Sequence, residues 1–192
     1  DYVEIEEAPE FETNQHTVSF WVKSDSLSQG NLVSKDDGNS NLTNRQWLVE
    51  ALDHGKVRSV IWTNGGMNLR DSNNSLTRGQ WHQVVRTWNG SSMSLYIDGV
   101  LDFTEDTTGT SLIDGSHPVN LGLEPYYGDY FDGSLDELRF YDRSLSNSEV
   151  SSLYSYELLD HFSEGLVAHH RFDGDYSDST FYGNSVSKKG TL

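Results

Sequence analysis

The stretch "TVSFWVK" alternates, with Val18, Phe20 and Val22 on one face of an extended chain and Ser19, Trp21 and Lys23 on the other. A period of two fits a strand with one face on a core, and it excludes an amphipathic helix at that place. Similar short runs recur as "YVEI", "QWLVEAL", "KVRSVIW", "WHQVVRTW", "SMSLYIDG", "VNLGLE" and "ELRFY", separated by clusters of Gly, Asn, Asp and Ser. Many short strands spaced in this way predict an all-β fold, a two-sheet antiparallel jelly-roll sandwich. Asn89-Gly90 and Asp98-Gly99 tolerate positive φ and bracket "SSMSLYI" as a strand between tight hairpins. One short helix breaks the pattern near the C-terminal third. In "SLSNSEVSSLYSYELL", Ser146 and Glu149 have the spacing of a capping box, and Leu145, Val150, Leu153 and Tyr154 form an apolar stripe. The stripe is expected to lie against the sandwich edge.

A chain of 192 residues can bury one sizeable core, so residues 1–192 are expected to form a single domain. Thirteen Lys and Arg against thirty Asp and Glu give a formal charge of −17, which repels nucleic acid and anionic membranes. No apolar run approaches the roughly twenty residues that span a bilayer, so neither nucleic-acid binding nor membrane insertion is expected. The acidity has two readings: a solvated surface, or calcium sites. The absence of cysteine excludes a disulfide scaffold, a cysteine zinc cluster and a thiol nucleophile. The chain opens at Asp1 in strand-like sequence without a signal peptide, which is expected of a piece of a larger precursor.

Three segments in order carry a resemblance: "HTVSFWVKSDSLSQGNLVSKDDG", "GQWHQVVRTWNGSSMSLYIDGVL" and "YFDGSLDELRFYDRSLSNSEVSSLY". Over roughly residues 1 to 155 the chain resembles LamG-like jelly-roll domains of the concanavalin A-like lectin and glucanase superfamily, which includes the pentraxins. The resemblance implies two antiparallel sheets packed face to face, with ligands and calcium held by loops along a rim. Domains of this kind often begin with a strand like "GLVAHHRFDG" and a loop like "DYSDSTFYGN", which here come last. Residues 165–192 are therefore expected to supply a terminal strand, through permutation or as the start of a tandem repeat. Residues 165–172 should pair beside Tyr2 to Ile5, in the same molecule or in a swapped neighbour.

Catalysis is not expected. The glucanase branch carries an E-x-D-x-x-E pattern that points acid, nucleophile and helper into one cleft, and "VEIEE" and "DELRFYD" have the wrong spacing for it. The seven histidines form no ligand trio, and no G-x-S-x-G elbow or phosphate-binding glycine loop is present.

Binding chemistry concentrates in "LGLEPYYGDYFDG", where Glu124, Asp129 and Asp132 accompany Tyr126, Tyr127 and Tyr130. Calcium takes six to eight oxygens, and sugars stack on aromatic faces, so this loop offers both. Its resemblance to the pentraxin calcium loop implies that Glu124 is a ligand and Asp129 lies near another, with Asn44 contributing an amide. Tyr126, however, stands where a ligating aspartate would be. A second cluster combines Asp173, Asp175 and Asp178 with Asp136. Related domains often hold a structural calcium there, which makes Asp136 and Asp178 its expected ligands. Both clusters read equally well as solvated acidic turns. Trp21, Trp81 and Trp88 lie in strand patterns and read as packing residues, whereas Trp62, before "TNGG", is the tryptophan expected to touch sugar.

The expected function is a non-catalytic, extracellular carbohydrate-binding module, secreted or at the cell surface, that depends on or is stabilised by Ca2+. Its partner would be a glycan or polysaccharide. The alternative is a structural or protein-binding LamG-like module of a cell-surface adhesin.

Overall fold

Val18, Phe20 and Val22 are fully buried, and the opposite face of the same strand is largely covered too. That double burial follows from the strand's place in the architecture. The computed structural model describes residues 2–36, 45–113, 115–124 and 128–155, together with the backbone of 166–170 and 186–189. In chain order the strands are β1 (Tyr2–Ile5), β2 (His16–Ser24), β3 (Gly30–Asp36), β4 (Arg45–Ala51), β5 (Val57–Thr63) and β6 (Gly66–Asp71). They continue with β7 (Trp81–Trp88), β8 (Ser92–Ile97), β9 (Val100–Asp106), β10 (Val119–Leu121), β11 (Leu123–Glu124), β12 (Asp129–Tyr130) and β13 (Gly133–Tyr141). Helix α1 (Asn147–Ser155) precedes β14 (Leu166–His170) and β15 (Val186–Lys189).

The strands form an antiparallel jelly-roll sandwich. One sheet runs β15-β1-β10-β3-β4-β5-β6 and the other β14-β13-β2-β7-β8-β9, with β11 and β12 as a separate two-stranded ribbon. Between the sheets, Trp47, Val49 and Ile61 from one side meet Val18, Phe20, Val84 and Phe140 from the other. Burying a side chain of this size contributes about 1.5–3 kcal/mol, so the interleaved faces dominate stability. Arg86 on β7 crosses this core, where its Nε donates to Ser59 Oγ on β5 at 3.2 Å and its guanidinium lies 5.6 Å from the Trp47 ring centre. Burial pulls its pKa down to about 9.

The Asp98-Gly99 hairpin forms as expected, with φ of 53° and 74° at the two turn residues between β8 and β9. A Cβ at Gly99 would also strike the Tyr154 side chain. At the other turn, Asn89 Oδ1 accepts from the Ser91 and Ser92 amides at 2.9 Å, and Gly90 takes φ of 91°. The capping box also forms: Ser146 N donates to Glu149 Oε2 at 2.7 Å, and Glu149 N returns a bond to Ser146 Oγ at 3.4 Å.

Two expectations about position are corrected. Helix α1 does not sit on the sandwich edge. Leu145, Val150 and Leu153 pack with Val85, Tyr96 and Tyr141 on the outer face of the six-stranded sheet, and Tyr154 stacks on Trp21 at 5.8 Å. That sheet face is apolar and needs a cover, which explains why β2 is buried on both sides. The second correction concerns closure. Residues 166–170 pair with β13 of the six-stranded sheet, placing Leu138 opposite His170 and Phe140 opposite Ala168, rather than lying beside β1. The neighbour of β1 is β15, with Val3 opposite Lys188 and Ile5 opposite Val186.

Candidate functional site

Strands β4 and β5 are apolar on both faces. Trp47, Val49 and Ile61 enter the shared core, so the alternate residues Leu48, Val60 and Trp62 face away from it and form a second cluster joined by Ile113. Register extends this outer face across the sheet. Leu48, Val60 and Leu69 stand in one cross-strand row, Trp62 is opposite Met67, and Glu50, Arg58 and Asp71 form the next row. Met67 and Leu69 lie on the sheet's edge strand and stay exposed, at 54% and 46%. On the other flank Asn31 is opposite Glu50, and its Nδ2 donates to Ser34 Oγ at 2.8 Å and to the Leu123 carbonyl at 2.7 Å. That second bond ties the β11-β12 ribbon to the sheet.

Between ribbon and sheet lies a cleft of about 200 Å³, lined by Asn31, Arg45, Leu48, Glu50, Arg58, Val60, Trp62, Met67, Leu69 and Asp129, with Gln29 at its side. Its floor is apolar and its rim is charged. Arg45 lies over the Trp62 ring at 5.3 Å and bonds through Nε to Asp36 Oδ1 at 3.3 Å. Arg58 grips Asp71 with two bonds, at 2.6 and 3.1 Å, and reaches Glu50 Oε1 at 3.4 Å. These carboxylates, Asp71 first, raise the Arg58 pKa, while burial raises that of Glu50 against the pull of Arg58. Two polar atoms of the lining are buried without a partner among the described residues: Trp62 Nε1, a donor, and Asn31 Oδ1, an acceptor. Leaving such a group unpaired costs about 1–3 kcal/mol.

The expected site residues divide between this cleft and other places. Trp62 belongs to β5 rather than a loop and is only 4% exposed, yet it lines the cleft together with Asp129. Asp129 is the register partner of Glu124 across the ribbon, and Gly128, with φ of 70°, precedes it. Tyr130, the next residue, is 54% exposed. Asp136 lies on β13 of the other sheet, away from this ribbon, where its Oδ1 accepts from the Glu137 amide at 2.8 Å. Glu137 has φ of 52° and sits in a bulge of the β13-β2 pairing. Strand β14 ends opposite Leu138, two residues from Asp136. Asn44, Tyr126, Tyr127, Asp173, Asp175 and Asp178 lie outside the described residues, as does the side chain of Glu124. Among the described residues no group of three or more His, Cys, Asp or Glu is placed to share a metal ion. Trp88 and Trp21 pack as expected, whereas Trp81 is 42% exposed beneath the Lys23 ammonium at 5.4 Å.

Asn31, Leu48, Glu50, Arg58, Val60, Met67 and Leu69 were not legible as site residues. One signal was present: "QWLVEAL" and "KVRSVIW" carry apolar residues at consecutive positions, which marks central strands whose outer face also meets something.

Comparison with known proteins agrees with this fold. The solved structures it resembles include a candidate carbohydrate-binding protein from Bacteroides ovatus, at TM-score 0.73 and 15% identity, covering 97% of this chain and 57% of that one. The native heptameric SAP-like pentraxin of Limulus polyphemus matches at TM-score 0.65 and 18% identity, covering 97% and 93%. The CBM40 of a Ruminococcus gnavus IT-sialidase, solved with α2,3-sialyllactose, matches at 0.62 and 21%, covering 73% and 82%. Among curated proteins, adhesion G-protein coupled receptor V1 of Danio rerio is 23% identical over 148 residues. That match takes in 72% of this chain, which spans 2% of the receptor's length. The laminin G family model of the concanavalin A-like lectin/glucanases superfamily matches residues 1–151. Two packed antiparallel sheets, one short helix and this family match lead to one conclusion: the chain belongs to the concanavalin A-like lectin/glucanases superfamily.

Proposed function

We propose that the chain is a non-catalytic glycan-binding module that works outside the cell, and that the cleft on the outer face of the seven-stranded sheet is its binding site. One observation carries the reading: an apolar floor of Leu48, Val60 and Leu69 lies beside a buried donor and a buried acceptor that lack partners. A pyranose has an apolar face and a rim of hydroxyls, each able to donate and accept, so it matches both halves of that surface. Glycan-binding proteins among the structural neighbours support the reading. The absence of an E-x-D-x-x-E pattern supports a module without catalysis.

Calcium belongs to the proposal as a stabiliser. Asp136 beside the Glu137 bulge would be one ligand and Asp178, outside the described residues, another, with carbonyls completing an all-oxygen shell. A glycan array run with and without calcium tests the reading, using the parent, Trp62→Ala and the exposed Met67→Ser, with melting curves as a folding control. Binding lost in both folded variants is the expected result, and silence of the parent across the array overturns it. Calcium at a hundred times its dissociation constant should raise stability by about 2.7 kcal/mol, or roughly 5–11 °C. Magnesium should not do so, and neither should calcium in Asp136→Ala. Identical curves in chelator and calcium remove the ion.

The second reading is a protein-binding module of a cell-surface adhesin. The adhesion receptor match favours it, as do Trp81, Val100 and Leu101, which are 42%, 68% and 41% exposed on the other sheet. An array without signal, together with a protein partner lost on Trp81→Ala, would select it.

A further inference from the structure

We infer that the cleft selects sugars by charge, taking amino sugars with a protonated amine in preference to neutral ones and excluding uronic, sialic and sulfated sugars. The inference rests on the glycan-binding reading and names its ligand class.

The arginines of the cleft invite the opposite conclusion, but both are already committed. Arg58 makes a two-pronged bond to Asp71 and a third bond to Glu50. Its fork geometry is used up on carboxylates of the protein itself. Arg45 lies over the Trp62 ring and is paired with Asp36, whose side chain is fully buried. Drawing Arg45 toward a ligand carboxylate would weaken its pair with Asp36, whose charge is held in the interior, and breaking a buried pair is strongly unfavourable. An acidic sugar therefore finds no free cation here among the described residues.

Among the described residues of the lining, Glu50 and Asp129 stand against Arg45 and Arg58, and the two arginines are further held by Asp36 and Asp71, which lie outside the lining. Asp129 is exposed on the ribbon and has no hydrogen-bond or ion-pair partner among the described residues. Among the described residues it is the one charge of the cleft left for a ligand, and the protein's −17 adds a long-range field of the same sign. An ammonium group on a pyranose would meet Asp129 while the ring's apolar face rests on the floor and its hydroxyls meet the unpaired atoms of Trp62 and Asn31. A neutral sugar keeps the floor and the hydroxyl contacts but leaves Asp129 to water.

Binding of three oligosaccharides to the whole chain, by titration calorimetry at low and physiological salt, tests this. The set is a glucosamine oligomer, its N-acetylated counterpart with the same backbone, and a polyuronate fragment of equal length. An exposed ion pair predicts that the glucosamine oligomer binds about two- to fivefold more tightly than the acetylated one. The difference should shrink as salt screens it and vanish in Asp129→Asn. The polyuronate fragment should bind at least about tenfold more weakly than either. Equal affinity for the amine and its acetylated form, or polyuronate binding as tight as either, overturns the inference and leaves the glycan reading standing. A chain that binds none of the three and is also silent on the array overturns both.

Discussion

Lys35 is fully buried near the end of β3, a position that a lysine can hold only if its charge is met. Its Nζ donates to Glu7 Oε2 at 2.8 Å, to Glu12 Oε1 at 2.6 Å and to the carbonyls of Gly115 and His117. One cation between two carboxylates cannot balance both. Burial, with Glu12 adding to it against Lys35, raises Glu7 from its ordinary 4.5 to about 7. Burial also acts to raise Glu12, but its bonds to Lys35 and Glu7 hold its pKa below the ordinary value. A carboxyl whose folded pKa is raised stabilises the fold below its unfolded pKa and loses that contribution as pH rises through the folded one. Glu7 should therefore weaken the fold progressively between about pH 4.5 and 7, whereas Glu12 should act in the opposite sense below 4.5. Urea midpoints of the parent and Glu7→Gln at pH 5, 6, 7 and 8 isolate the first effect. The variant should gain on the parent progressively from pH 5 to 7 and level off by pH 8. A difference independent of pH would show that Glu7 is ionised throughout.

At the scale of elements, burial and local pattern act in different proportions. Helix α1 has its capping box in sequence, but Leu145, Val150 and Leu153 set its position by burial against Val85, Tyr96 and Tyr141. Ser146→Ala should cost about 1 kcal/mol through the lost cap. Leu153→Ala should cost about 2–5 kcal/mol through the cavity it leaves. Denaturant unfolding measures both, and a cap loss as large as the cavity loss would mean that the helix is held by its own sequence. Strands β3, β6 and β9 escaped the period-two reading for identifiable reasons. β6 and β9 are edge strands, rich in Asn, Asp, Thr and Glu, where alternation is weak because neither face is fully covered. β3 is buried throughout although Asn31, Ser34, Lys35 and Asp36 are polar: Asn31 Nδ2, Lys35 and Asp36 find partners in other strands or loops, and Ser34 Oγ accepts from Asn31. Hydropathy cannot reveal a burial that depends on distant bonding partners.

Closure is a property of the whole molecule. β14 and β15 cover the outermost strand of each sheet, β13 in one and β1 in the other, and both lie beyond the residues matched by the family model. Removing residues 156–192 should bare two sheet edges at once, lower the melting temperature and produce aggregates visible by light scattering. A soluble truncation with an unchanged melting temperature would show that these strands are accessory. The same scale separates what the chain's order of residues determined from what tertiary structure decided. Alternation in β2, β4, β5, β7, β8 and β13, two glycine turns and a capping box are local signals. Each depends on neighbours a few residues away, so the all-β sandwich, the hairpin turns at Asn89-Gly90 and Asp98-Gly99 and helix α1 were legible in sequence alone. The choice of edge for β14, the outer sheet face chosen by α1 and the meeting of Trp62, Asn31 and Asp129 in one cleft were not. A strand's own pattern states which of its faces wants burial but not which open edge will receive it. The cleft joins residues about a hundred positions apart, and that distance is closed only when register across β3, β4, β5 and β6 and the folding-over of the β11-β12 ribbon bring their side chains to one face.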